Sequence, residues 1–243
     1  MKTYFKFLLI IGLTTLLAGC WDITEPQRMY YINAVGVDYQ NDEYIVYLQV
    51  INFADVAKSI QPSATVAPAE VGGRATGKTI EEAIYKLYRS SDQEIFWGHM
   101  RFMVFSEQAM ENEHIIPVID TFIRFRDTRY QIWVYCTKNP VEEVLLVTPI
   151  LRNSLSSSKL SNPPINPTEQ ETFVEPKDLR DVVIGLNEPS HEVTIPYVSI
   201  KEVWQTDKEQ IKETYFSGVG VLSKDGFKGV RARYCGARQS MDA

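Results

Sequence analysis

Two stretches carry residue types at spacings that chemistry uses. One is Leu17-Ala18-Gly19-Cys20, which closes an apolar run near the amino terminus. The other is Gly72-Gly73-Arg74-Ala75-Thr76-Gly77-Lys78-Thr79, which satisfies the pattern Gly-x4-Gly-Lys-Thr just before a helical repeat. In the first, a cysteine delivered to a membrane surface offers a thiol for alkylation by a diacylglycerol. In the second, backbone amides and a lysine would cradle a nucleotide's phosphates.

The first stretch has the context it needs. Lys2 and Lys6 give a positive start, and Phe7 to Leu17 give an apolar core of signal-peptide length. That core is short of the roughly 20 apolar residues of a membrane span. Leu-x-Gly-Cys in this place is a bacterial lipobox, with residues 1–19 as the signal peptide and Cys20 as the lipidated residue. Each buried methylene contributes about 0.8 kcal/mol, and stable anchoring takes two chains, which one diacylglycerol supplies.

The second stretch lacks its context. A phosphate loop follows a buried strand, whereas residues 62–71 are broken by Pro62 and Pro68. Ile115 to Asp120, the only offer for a magnesium-bearing strand, contains Pro117. The expectation is an exposed loop over 53–75 and no nucleotide at Gly72–Thr79.

The other reactive groups are scattered. His99, His114 and His191 stand at no metal spacing to one another or to a cysteine, and His99 is expected to pack or hydrogen-bond rather than act as a base. Glu81-Glu82 and Glu142-Glu143 fall in first turns of helices, where negative charge is favourable. Arg124, Arg126 and Arg129 suit a helix end better than an anion site. Cys136 ends an alternating apolar run and is expected to be a buried free thiol; pairing with Cys235 is the alternative that export permits. No nucleophile motif is present, so the reading is no enzyme, no catalytic residue, no cofactor beyond the diacylglycerol on Cys20, and no metal.

Composition agrees. The 243 residues are 44% hydrophobic and 23% charged, ordinary for a folded water-soluble chain. Net charge is −6; without Lys2 and Lys6 it is −8. That balance argues against nucleic acid and against a basic patch as the anchor.

The elements around these residues follow from periodicity. Two β-rich runs, 29–39 and 44–52, flank an Asn41-Asp42 turn and predict a hairpin. Thr79-Ile80-Glu81-Glu82 is a capping box that opens a helix through Tyr88. A strand over 100–105, a short helix from Ser106, a helix over 115–125, a strand over 130–136 and a helix from Asn139-Pro140 to Val147 follow. Residues 152–176 are rich in Asn, Ser and Pro. A helix over 178–186, a strand over 193–204 interrupted by Pro196, a strand over 215–222 and a Lys224-Asp225-Gly226 turn complete the pattern. The fold class is α+β, a mixed sheet with packed helices. Residues 230–243, with Arg231, Arg233 and Arg238, show no periodicity and are expected to be a disordered tail. A strand from Tyr215 without a partner cannot stand alone, so a truncation or frame change after Gly229 is expected.

Gly19-Cys20-Trp21-Asp22, Ile32-Asn33-Ala34-Val35-Gly36-Val37-Asp38, Thr76-Gly77-Lys78-Thr79-Ile80-Glu81-Glu82-Ala83 and Trp97-Gly98-His99 together resemble the spore germination receptor C-subunit family, Ger(x)C. The resemblance runs from about Leu17 to Gly229. It implies a lipoprotein on the outer face of the spore inner membrane, assembled with the A and B membrane subunits of a nutrient receptor. It brings no catalytic residues, and only Cys20 carries over as a functional position. It divides the chain into a domain over 20–200 and the start of a second over 201–229, since family members continue beyond Gly229. A lipid-anchored solute-binding protein is the alternative, although the chain lacks the repeated β-α pattern of two lobes.

Overall fold

Asn41 and Asp42 both adopt left-handed backbone, with φ of 54° and 61°. A two-residue hairpin turn that matches strand twist needs this at both central positions, and Asn and Asp tolerate it. The turn joins β1 (Met29–Gln40) to β2 (Glu43–Ile51). The computed structural model describes residues 3–7, 12, 29–51, 70–125, 127–147, 158–163, 175–188, 191–205 and 210–232. Cys20, Cys235 and most of the leader lie outside them.

Nine strands form one mixed sheet among the described residues, in the order β3-β2-β1-β5-β6-β7-β8-β9, with β4 (Glu94–Phe96) alongside β1. β3 (Glu70–Gly77) pairs antiparallel with β2. β5 (Phe102–Ser106), β6 (Trp133–Thr137) and β7 (Val193–Gln205) run parallel to β1, and β8 (Gln210–Ser223) and β9 (Gly226–Ala232) close in antiparallel order. The expected α+β class is what the chain adopts.

Both faces of the sheet are covered. On one lie α1 (Ile80–Ser90), α2 (Glu107–Met110), α3 (Ile115–Arg124) and α5 (Leu179–Asn187). On the other lie α4 (Val141–Leu146) and Leu160. β5 shows the alternation: Met103 and Phe105 enter the first cluster, Phe102 and Val104 the second. Helix starts are sealed by side chains, as their residue types dictate. Thr79 accepts from the Glu82 amide, Ser106 from Ala109, and Asp178 from Asp181.

The structure corrects the sequence reading in several places. Residues 70–77 form a strand, not the tail of a loop; the paired β2 supplies the order that glycine-rich residues lack alone. β4 is absent from the sequence reading because three residues carry no usable period. Pro196 does not interrupt β7. β8 has a partner on each side, so the argument from an unpaired strand fails. Residues 230–232 belong to β9 rather than to a tail, while 233–243 lie outside the described residues. β8 and β9 extend the same sheet as the earlier strands.

Candidate functional site

The phosphate-loop motif occupies an edge strand and a helix cap. Gly72 to Gly77 are matched residue by residue with Gln49 back to Tyr44, so their amides are oriented by a ladder rather than gathered around an anion. Gly77 is there for packing: a Cβ would sit 2.6 Å from the Ala83 amide nitrogen and 2.9 Å from the Thr79 carbonyl. Gly73 would place one 3.3 Å from Leu87. Glu82 reaches back to the Lys78 amide at 2.9 Å and pairs with Lys86 at 2.9 Å. The capping box is therefore real, with its return bond one residue earlier than the motif predicts.

The histidines stay apart. His114 stacks on Tyr39 with ring centroids 3.8 Å apart, and its carbonyl accepts from the Tyr44 hydroxyl at 3.1 Å. His191 meets Glu188 at 3.7 Å. His99 packs edge-on to Tyr31 at 5.1 Å and against Phe96 at 5.6 Å. Burial, then the guanidiniums of Arg129 and Arg101, hold its imidazole below the usual histidine range. Arg124 pairs with Asp120 one helical turn away, at 2.9 Å. Arg126 lies outside the described residues.

Cys136 is a fully buried free thiol. Its sulfur lies 3.7 Å from the Pro196 carbonyl and 3.9 Å from that of Ile195. Burial pushes its pKa far above the ordinary thiol range, which leaves no thiolate for chemistry. Gly220 is what admits the sulfur, since a Cβ there would lie 2.6 Å from it.

Sequence reasoning missed a buried polar assembly. Asn33 Nδ2 donates to Gln49 Oε1 at 2.5 Å and to Ser161 Oγ at 3.5 Å, and Gln49 Nε2 donates to the Leu145 carbonyl. The Tyr135 hydroxyl donates to the Leu160 carbonyl at 3.0 Å. Residues 158–163 are thereby fastened over the second cluster. Asn33, Gln49 and Ser161 are almost wholly inaccessible, so the assembly holds structure and offers nothing to a ligand. It was invisible in sequence because its members are up to 128 positions apart.

Open clefts also occur among the described residues. One, of about 660 Å³, is lined by Tyr44, Asn112, Glu113, His114, Ile116, Pro117 and Asp225. Another, of about 510 Å³, lies between α4 and the start of β8. Neither pairs a nucleophile with a base. Among the described residues, no group of three or more His, Cys, Asp or Glu side chains could hold a metal, and no helix is long and apolar enough to cross a membrane.

Residues 22–200 match the model of the spore germination protein N-terminal domain. The chain belongs to this family. Three curated relatives, all from Bacillus subtilis (strain 168), share the likeness. Spore germination protein KC is 27% identical over 234 residues, covering 87% of this chain and 54% of the relative. Spore germination protein B3 is 25% identical over 145 residues, covering 59% and 37%. Putative spore germination protein YfkR is 26% identical over 146 residues, covering 59% and 38%. The chain thus spans about half or less of the curated relatives it matches. A crystal structure of the GerBC protein is similar at 15% identity and a TM-score of 0.36, over 87% of this chain and 54% of that one. In this spore germination N-terminal domain, Ile32 to Asp38 form the bulged middle of β1, with a register shift between Ile32 and Ala34. The Trp97-Gly98-His99 turn seats Trp97 in the core, its ring stacked on Phe125 at 5.4 Å.

Proposed function

We propose that the chain is a non-catalytic, lipid-anchored subunit of a nutrient germinant receptor. It is tethered by a diacylglycerol on Cys20 to the outer face of the spore inner membrane and held against the receptor's A and B membrane subunits. The observation that carries this reading is the family match over residues 22–200, which begins two residues after the lipobox cysteine. The solute-binding alternative calls for two lobes around a cleft, whereas the described strands join a single sheet.

The test is to express the full chain in a spore-forming host and analyse the membrane fraction. A Cys20 peptide carrying the mass of a diacylglycerol, and co-purification with the two membrane subunits, are the expected results. A chain released to the soluble fraction without lipid, or one that binds a single amino acid or sugar tightly and no receptor subunit, would overturn the proposal.

A further inference from the structure

Charge is distributed unevenly at one end of the sheet. β1, β4, β5 and β6 are mutually parallel, so their amino-terminal ends gather on the side where the chain enters at Met29. Ile95 and its partner Tyr30 point to the face that bears α1, where Asp92 accepts from the Tyr30 hydroxyl at 2.7 Å. Asp127 adjoins the Trp97-Gly98-His99 turn, its carbonyl 3.5 Å from where a Gly98 Cβ would sit. Tyr31 and Phe96 point to the opposite face and carry His99 between them. Arg101 reaches Asn162 there, at 3.5 Å. Arg129 acts on His99 together with Arg101. Tyr130 is half exposed next to Arg129. Glu94, two positions before Phe96, is the β4 carboxylate that alternation places on this face. Asp92 falls on the other, Asp127 lies two residues before Arg129, and Lys177 is neutralised by Glu175 at 2.8 Å.

We infer that His99, Arg101, Arg129 and Tyr130 form a surface that docks the domain, in one orientation, on anionic lipid headgroups. The inference rests on the anchoring of Cys20 proposed above. Cys20 precedes Met29 by nine residues, a reach of at most about 30 Å, so a tether there holds this end of the sheet within contact of the bilayer. Guanidiniums suit phosphate oxygens, and a half-exposed tyrosine suits the boundary between headgroup and acyl chain. Each basic side chain near an anionic surface contributes about five-fold to the docked population. Two arginines therefore orient a tethered domain without being able to recruit a free one.

The test separates the tether from the surface. The mature chain carrying Cys235→Ser, with Cys136 sealed in the core, is coupled through Cys20 to a maleimide lipid. It is placed in vesicles of phosphatidylcholine with or without phosphatidylglycerol, and amide hydrogen exchange is followed by mass spectrometry. The expected result is slowed exchange at residues 99–101 and 127–131 on phosphatidylglycerol vesicles alone, removed by Arg101→Glu with Arg129→Glu and by raised salt. Equal exchange on both vesicle types, or slowing confined to α1 or to Val203-Trp204, would overturn the inference. Because the coupling is chemical, absence of lipid on Cys20 from cells would refute the anchor and leave this result standing.

Discussion

The Tyr197 hydroxyl donates to Glu107 Oε1 at 2.7 Å, joining β7 to the first residue of α2 across 90 positions of chain. Burial, then the hydrogen bond to Glu107 and its charge, raise the Tyr197 pKa well above the ordinary 10.0. The folded state thus holds this proton more tightly than the unfolded state. The stability it contributes is complete below pH 10.0 and is lost as pH rises beyond it. Tyr197→Phe should cost about 1 kcal/mol at neutral pH. The variant should also lose stability less steeply than the parent above pH 10.0. Urea unfolding at a series of pH values measures both.

Cys136 should be inert while the chain is folded. In a Cys20→Ser, Cys235→Ser background, a thiol reagent should react only at the rate of unfolding and become fast in denaturant. Rapid modification of the native protein would contradict the burial of this sulfur.

Gly36 lies under α4, where an added Cβ would collide with Val141 Cγ1 and stand 2.9 Å from Leu145 Cδ1. Gly36→Ala should cost about 1–3 kcal/mol through overpacking, read as a lower urea midpoint at unchanged slope. An exposed control, Gly72→Ala, meets nothing within 4 Å and should be nearly neutral.

Lys78→Ala should change neither stability, beyond about 0.5 kcal/mol, nor the response to added nucleotide, because β3 forms no cradle. Thr79→Ala, by contrast, removes the α1 cap and should cost about 1 kcal/mol. Thermal melts with and without nucleotide distinguish the two residues.

Asn33→Ala should leave Gln49 Oε1 without its donor in a buried site, at a cost of about 1–3 kcal/mol. Leu160→Ala should cost about 2–5 kcal/mol by opening a cavity. Both should expose the chain around residues 158–163 to limited proteolysis before global unfolding. Uniform protection would show that this segment is held by something else.

What sequence revealed and what it hid divide along local and distant interactions. Thr79, Ser106 and Asp178 announce their helices because a cap is made within three residues. Asn41-Asp42 announces the hairpin because a two-residue turn is self-contained. β3 was hidden because Gly72 and Gly73 have no intrinsic strand preference and take their conformation from β2. β9 was hidden likewise, since Gly226 and Gly229, with φ of 109° and 119°, disguise a strand as a turn. Asn33, read only as part of a family motif, gains its role from Gln49 and Ser161. The proposed lipidation of Cys20 stands on the sequence alone, since Cys20 lies outside both the described residues and the family match over residues 22–200.

A sheet clad on both faces has a genetic consequence. Side chains of β1, β5 and β6 are committed to two cores, so variants there will register as loss of protein, not loss of recognition. On the proposed receptor role, alleles that abolish germination while leaving abundance intact should cluster on helix exteriors and strand ends, and on β3 and β9, the outermost strands among the described residues. A screen scored for both traits would trace the contact map of the proposed receptor assembly from the surface inward.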